Sequence, residues 1–321
     1  MVDHVSTARE ALRRFPKFAS RMPAEFLDRH ARTGDLIDAH RVYAWLARGG
    51  TGWAEGQLRV LDDLIASLPS SAAIDAKLAD LWRADEERVD SLATELLLVR
   101  DLVGLGHRIE LEPDNDGKRP EMLVNDSILL EAKTFASRGD AVERLTYKIC
   151  EDIPSGRAFA FDVSEGVRQN HVSPLIRKLR RWVEQDDPRQ GATRAFEHDG
   201  VSLNVEVRYA DVDIPRTGSC VVSSPPLPTP EETRREFSKW LALAITKARR
   251  QVKGFDGRRL LVADVSHMRS AVDMFALHPG LVSEIARECN AGSLEVLVGH
   301  RRASFGGLVF EPPSALRDAF R

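Results

Sequence analysis

The stretch KRPEMLVNDSILLEAKTF, from Lys118 to Phe135, constrains the fold more than any other segment of the chain. PEMLV (Pro120 to Val124) and ILLEAKTF (Ile128 to Phe135) read as strands, and Asn125-Asp126-Ser127 between them is turn-forming. A three-residue loop sets Val124 opposite Ile128, and the same register carried outward sets Glu121 directly across from Glu131. Opposed residues share one sheet face with Cβ atoms about 5 Å apart, so two such carboxylates repel. The period of two places Leu129, Glu131 and Lys133 on that face and Ile128, Leu130 and Ala132 on the other. A loop of even length would separate the acids. A divalent cation is a physical reason to hold them together, because Mg2+ takes oxygen ligands and often only one or two carboxylates. Lys133, two residues along the strand, is then placed to orient a water or to neutralise developing charge.

The flanking sequence supplies a further acid. EERVDSLATELLLVRDLVG (Glu86 to Gly104) has helical periodicity and ends at Gly104 and Gly106. Glu95 falls in the middle of its apolar stripe of Leu92, Leu98, Val99 and Leu102, which is costly for a charge without a partner cation. HRIELEP (His107 to Pro113) alternates as a strand, and DNDGK (Asp114 to Lys118) is a turn. Asp114 and Asp116 are an alternative to Glu121 as carboxylate donors, although Asp-Asn-Asp-Gly is primarily a turn sequence. GDAVERLTYKICEDI (Gly139 to Ile153) reads as a helix, with Lys148 at a solvated edge, and RAFAFDV (Arg157 to Val163) as a strand. The local order is αβββαβ.

These residues resemble a known family. Pro120-Glu121, nine intervening residues and Glu131-Ala132-Lys133 look like the motif of the PD-(D/E)xK nuclease superfamily, and the αβββαβ order over about residues 86 to 165 is similar to its core. The resemblance implies a metal-dependent phosphodiester hydrolase acting on DNA, with RNA as the alternative, in a restriction or phage-defence setting. It implies Mg2+, or Mn2+, held by Glu121 and Glu131 with support from Glu95, and Lys133 as the catalytic lysine. Glu121 departs from the family's aspartate by one methylene, which leaves a non-catalytic nucleic-acid-binding or assembly protein on the same fold as the second reading. A third reading makes the Glu-Ala-Lys strand purely structural.

A nuclease also has to hold a polyanion. IRKLRRW (Ile176 to Trp182) clusters Arg177, Lys178, Arg180 and Arg181, and a helix from Arg234 to Lys253 carries Lys247, Arg249 and Arg250. Such patches suit sequence-independent phosphate contacts or a solvated helix face. That second helix has a start signal in Thr229-Pro230-Glu231-Glu232: a capping hydroxyl, a proline in the first turn and a capping-box glutamate.

The expected organisation is a helical region over 1–85, a nuclease-like core over 86–190 and an α/β extension with a basic helix over 191–321. The 321 residues, 43% hydrophobic and 30% charged, are enough for a sizeable core. Cys150, Cys220 and Cys289 lie far apart, which argues against a disulfide framework or a CxxC zinc site. There is no membrane-length apolar run and no secretory leader pattern, so a cytoplasmic protein is the default expectation. A homo-oligomer or a protein partner is compatible with everything above.

Overall fold

The computed structural model describes residues 4–31, 36, 39–50, 52–84, 86–135, 138–153, 156–210, 219–225, 229–265, 280–301, 308–310 and 315–320. The chain divides into two compact units, the first built from 1–34, 39–135 and 233–321, the second from 35–38 and 136–232. Both are mixed α/β.

In the first unit, short helices α1 (His4–Leu12), α2 (Pro16–Ala19), α3 (Phe26–Ala31) and α4 (Arg41–Ala47) precede α5 (Trp53–Ser67), α6 (Ala72–Arg83) and α7 (Glu86–Gly104). The first six make up the helical region expected over 1–85. They share a compact unit with the sheet, and α5 and α6 pack on α7. Buried ion pairs contribute to this: Arg41 of α4 grips Asp90 of α7 with two bonds of 2.8 and 3.0 Å.

The sheet has the order β1-β2-β3-β8-β9-β10. β1 (Ile109–Leu111), β2 (Met122–Val124) and β3 (Ile128–Thr134) form an antiparallel meander. β3 then runs parallel to β8 (Arg258–Asp264), and β8 parallel to β9 (Leu294–Arg301), with β10 (Leu308–Phe310) returning antiparallel. A strand flanked on both sides and covered on both faces needs apolar residues throughout. Accordingly Leu129, Leu130 and Ala132 are all buried. Leu129 joins Phe237 and Leu241 of α10 (Pro230–Gln251), Leu261 of β8 and Ile285 of α11 (Leu281–Glu288) in one apolar cluster. α7 packs against β3 as well. The last helix is α12 (Ala315–Ala319).

Two expectations are corrected here. The helix and strand read as completing the core are α8 (Arg138–Asp152) and β4 (Ala158–Val163), and both lie in the second unit, in a separate sheet ordered β5-β6-β4-β7. The parallel neighbour of β3 is β8, reached through α10. AFAFDV and RRLLVAD are both short apolar runs ending near an aspartate, so local pattern cannot decide which of them pairs with β3. Lys148 is the other correction: it is nearly buried on α8 and lies 3.3 Å from the buried Asp152 one turn on, rather than at a solvated edge.

The second unit also contains α9 (Gln169–Asp186), β5 (Thr193–His198), β6 (Val201–Tyr209) and β7 (Cys220–Ser223). Its core joins Val142, Leu145 and Ile149 of α8 with Leu175, Ile176 and Leu179 of α9 and Phe159 of β4. The start of α10 follows its sequence signal, with Thr229 Oγ1 accepting from the Glu232 amide at 3.3 Å and Glu232 Oε2 accepting from the Thr229 amide at 2.8 Å. The sequence also reads GGLVFEP (Gly306 to Pro312) as a strand; Leu308–Phe310 form β10, and Gly306, Gly307, Glu311 and Pro312 lie outside the described residues. No helix among the described residues is long and apolar enough to cross a membrane.

Candidate functional site

The hairpin sets the geometry. Asn125 and Asp126 both adopt left-handed backbone, φ 49° and 56°, and the Ser127 amide donates to the Val124 carbonyl at 3.1 Å. Two successive left-handed residues match the strand twist, and asparagine and aspartate tolerate that region better than other side chains. The ladder pairs Val124 with Ile128 and Met122 with Leu130, which is the register expected from the sequence. Glu121 is the next residue out from Met122, as Glu131 is from Leu130. Gly257 lets the start of β8 approach this loop: a Cβ there would overlap the Ser127 carbonyl oxygen, to which the Arg258 amide donates at 2.9 Å.

The two acids meet at one ammonium group. Lys133 Nζ lies 2.8 Å from Glu131 Oε2 and 3.3 Å from Glu121 Oε1. Glu131 is 1% exposed, and Lys133 is half-buried. Glu95 reaches the same cluster from α7, buried among Leu92, Leu98, Val99 and Leu102 as its place in the apolar stripe implied.

A second lysine enters from α6. Lys77 Nζ is 2.7 Å from Glu95 Oε2, 2.7 Å from Glu112 Oε1 just past β1, and 3.9 Å from Glu121 Oε2. The Lys77 and Glu95 side chains are each only 7% exposed. Their contact is a close ion pair rather than a directed hydrogen bond, since Glu95 Oε2 has no donor in hydrogen-bonding geometry. Ser91 Oγ is 3.4 Å from the other oxygen.

The electrostatics follow from burial and crowding. Burial pushes the Glu95 carboxyl up to about 7, helped by the neighbouring Glu121 charge and opposed by Lys77. Burial likewise raises Glu131, with Lys133 pulling the other way and Glu121 adding to the rise. For the lysines, burial disfavours the charge, but Glu131 and Glu121 around Lys133, and Glu95, Glu112 and Glu121 around Lys77, outweigh it and raise both. Glu112 is held below the usual carboxylate range, chiefly by the hydrogen bond from Lys77. Four carboxylates against two ammonium groups leave an excess of two negative charges when all are ionised.

An all-oxygen donor set with surplus negative charge and carboxyls destabilised by burial suits a hard divalent cation. Glu121 and Glu131 are the residues able to hold one. Among the described residues, no three acidic, histidine or cysteine side chains converge as a ready-made metal cage, and the lysines lie between the acids instead. Asp114 is engaged in its turn, accepting from the Gly117 amide at 2.9 Å, and Asp116 has a left-handed backbone, as the turn reading required.

Behind β3, Thr94 of α7 is 3.1 Å from Thr134 and donates to Asp264 at the end of β8. Asp264 is fully buried. This hydrogen-bonded group ties α7 to the two central strands and so fixes the helix that carries Glu95.

The basic residues fall on two helices. On α9, Arg177, Lys178 and Arg181 are exposed, while Arg180 is half-buried and bonds Glu184 at 2.8 Å. Lys178 donates to the Glu197 carbonyl. On α10, Lys247, Arg249 and Arg250 are exposed, with Arg249 3.4 Å from the Cys289 carbonyl. The α9 residues belong to the second unit and the α10 residues to the first.

Lys77 and Glu112 were missed from the sequence. A signal existed for Lys77: it sits within the apolar face of α6 marked by Ile74, Leu78 and Leu81, just as Glu95 sits within that of α7. Two opposite charges buried on neighbouring helices are a complementary anomaly. Comparison with protein-family models, with curated proteins and with solved structures returns no match to this chain.

Proposed function

We propose that this protein is a metal-dependent nuclease with a PD-(D/E)xK-like core, hydrolysing phosphodiester bonds in DNA. The observation that carries the reading is the convergence of Glu121 and Glu131 on Lys133 in the hairpin register that the motif requires. The order of elements supports it: α7-β1-β2-β3 is followed, after the second unit, by α10 and a β8 parallel to β3, which makes the αβββαβ succession within one sheet.

In this reading Glu121 and Glu131 hold Mg2+ or Mn2+, which when bound would favour a hydroxide-like water and stabilise charge growing on the phosphoryl oxygens. Lys133 orients the attacking water and stabilises the developing negative charge through its fixed ammonium. Glu95 supports the cluster from α7. Lys247, Arg249 and Arg250 contact backbone phosphates, as do Arg177, Lys178, Arg180 and Arg181 on α9. DNA as the substrate, a restriction or phage-defence setting and a cytoplasmic location rest on the family resemblance and on composition.

The lysine-bridged acids favour one other reading, a nucleic-acid-binding or assembly protein on the same fold, in which the ammonium groups hold the acids together for good. Cleavage assays separate the two. Plasmid, linear duplex and single-stranded DNA and RNA are incubated with the full chain and Mg2+ or Mn2+. Wild type cleaves at least one substrate, and Glu131→Gln and Lys133→Met each lose at least about a hundredfold in rate. Equal cleavage by all three proteins would reject the site, and binding without cleavage would favour the second reading.

A further inference from the structure

The apolar cluster between α10 and the first sheet fixes which side of β3 that helix covers. Leu129 and Phe135 join Leu261, Ala263 and Val265 there, packed against Phe237 of α10. Phe135 lies one residue past β3, and its amide still follows the ladder, donating to the Asp264 carbonyl at 2.8 Å. Alternation therefore puts Glu131 and Lys133 on the α10 side of the sheet, between Leu129 and Phe135. Phe135 is two residues, about 7 Å, beyond Lys133. At this point α10 supplies Trp240, whose ring centre is 5.1 Å from that of Phe135 and 5.8 Å from that of Phe237. Phe135 and Phe237 are fully buried, whereas Trp240 keeps part of its surface open to solvent. Leu243, one turn further along the helix, is 62% exposed. Exposed cations flank this apolar strip: Lys239 beside Trp240, then Lys247 and Arg250. From Thr233 to Gln251 the helix carries a single acid, Glu236.

We propose that Trp240 is a stacking platform for an unpaired nucleobase close to the scissile phosphate, with the same strand following the row of Lys239, Leu243, Lys247 and Arg250 along α10. This inference rests on the nuclease reading above and deepens it by naming the substrate class: single-stranded or locally unpaired nucleic acid, not continuous duplex. The argument is chemical complementarity. Phosphate contacts need only cations, whereas holding an unpaired base needs an accessible aromatic face with cations within a nucleotide's reach. Successive members of the row are three or four residues apart and so lie on one side of the helix. From Lys239 to Arg250 they span about 17 Å of it. Trp240 stands at the end of this row that adjoins Phe135, and so at the end nearest Lys133. Phe135 and Phe237 hold the indole from the core side, so they position it and do not themselves touch a base. Within a continuous duplex both faces of every base are already stacked, and Trp240 adds nothing to its binding.

The test is equilibrium binding by the full chain in EDTA, where metal-dependent cleavage does not interfere, to three probes of equal length: oligo-dT, the same deoxyribose-phosphate strand without bases, and a duplex. Wild type prefers oligo-dT to the abasic strand. Trp240→Leu weakens oligo-dT binding at least about fivefold and leaves the abasic strand and the duplex within about twofold of wild type. Trp240→Phe, which keeps an aromatic face on the same packing, retains the preference for oligo-dT but loses the part of the tryptophan fluorescence quenching that oligo-dT causes in wild type. Equal weakening of all three probes by Trp240→Leu marks a merely structural residue and overturns the proposal, as does unchanged oligo-dT binding by that variant. Should Trp240→Leu fail to fold, wild type and Trp240→Phe decide: no preference of wild type for bases, or equal quenching in the two proteins, overturns the proposal. Cleavage by a protein without base-dependent binding leaves the nuclease reading intact and sinks the platform. Trp240-dependent binding of oligo-dT by a protein that cleaves nothing with Mg2+ or Mn2+ does the reverse.

Discussion

The two sheets are built on the same plan and differ in what their central strands bury. In each, a central strand has an antiparallel neighbour on one side and a parallel one on the other: β3 lies between β2 and β8, β4 between β6 and β7. β4 fills its positions with Ala158, Phe159, Ala160 and Phe161 and turns its one charge, Asp162, to solvent. β3 begins in the same way, with Ile128, Leu129 and Leu130, then buries Glu131 and half-buries Lys133. The architecture is therefore indifferent to function. The difference lies in which strand accepts charges in its interior, and in a molecule of marginal stability such an arrangement persists only when neighbouring groups compensate it.

The comparison can be pressed by mutation. The largest effect is expected where a strand is purely structural: Phe159→Ala, at a position with no exposed surface, costs about 3–5 kcal/mol by urea denaturation of the full chain. A cost below about 1 kcal/mol there would show that β4 is not the core strand its burial indicates.

Comparable in size across its full pH window is an acid sensitivity that the first unit owes to its buried histidine. His40 donates from Nε2 to the Leu81 carbonyl and accepts at Nδ1 from the Val42 amide, so it is neutral, and burial lowers its pKa from 6.5 to about 3. The unfolded chain takes up this proton below 6.5 and the folded chain does not until about 3. His40 thus contributes stability that is complete above 6.5 and is lost as pH falls through that window, at about 1.4 kcal/mol per pH unit. Glu95 works in the opposite sense: its raised pKa means that stability is gained as pH falls from about 7 to 4.5. The His40 share is isolated as the difference between wild type and His40→Gln measured from pH 3 to 6.5. Parallel curves would refute it.

Smaller again is the cap of α10. Thr229→Ala removes the hydroxyl that accepts from the Glu232 amide and costs about 1 kcal/mol by thermal or chemical denaturation. The smallest change in stability is expected at the residue on which the proposed nuclease reading most depends. Glu131→Gln removes a charge that burial already disfavours and leaves Lys133 paired with Glu121, so stability moves by less than about 1 kcal/mol, while on the proposed nuclease reading cleavage is lost. If this variant instead unfolded, β3 would be a structural strand like β4, and the contrast between the sheets would fail.

What the sequence made legible was local. The hairpin register could be read because a three-residue turn between alternating runs has few geometric solutions, and a one-residue slip would put Glu131 on the opposite face. Glu95 could be read because helix periodicity places every residue relative to the apolar stripe, and the start of α10 because caps are written in four consecutive residues. The closing strand of the sheet was not legible. AFAFDV follows the motif directly and RRLLVAD comes after another ninety-odd residues, and nothing in either run states its neighbour. Lys77 carried only half a signal: its place in the apolar face of α6 marks it as an anomaly, but the sequence does not name the acid that buries it.

The separation between β3 and β8 carries a consequence for how the molecule is made. Ile128 pairs with Arg258, so the centre of the first sheet is closed by partners about 130 residues apart, with the 136–232 segment of the second unit between them. Contacts of that span form late, because the loop must close before the pairing repays it. During synthesis, the residues of the second unit are complete before β8 emerges, and β3 waits with one edge unpaired. An unpaired apolar edge recruits other strands. A newborn chain halted between α10 and β8 therefore exposes an unpaired apolar edge open to aggregation, and the acids of β3 gain their parallel neighbour only once β8 has been made.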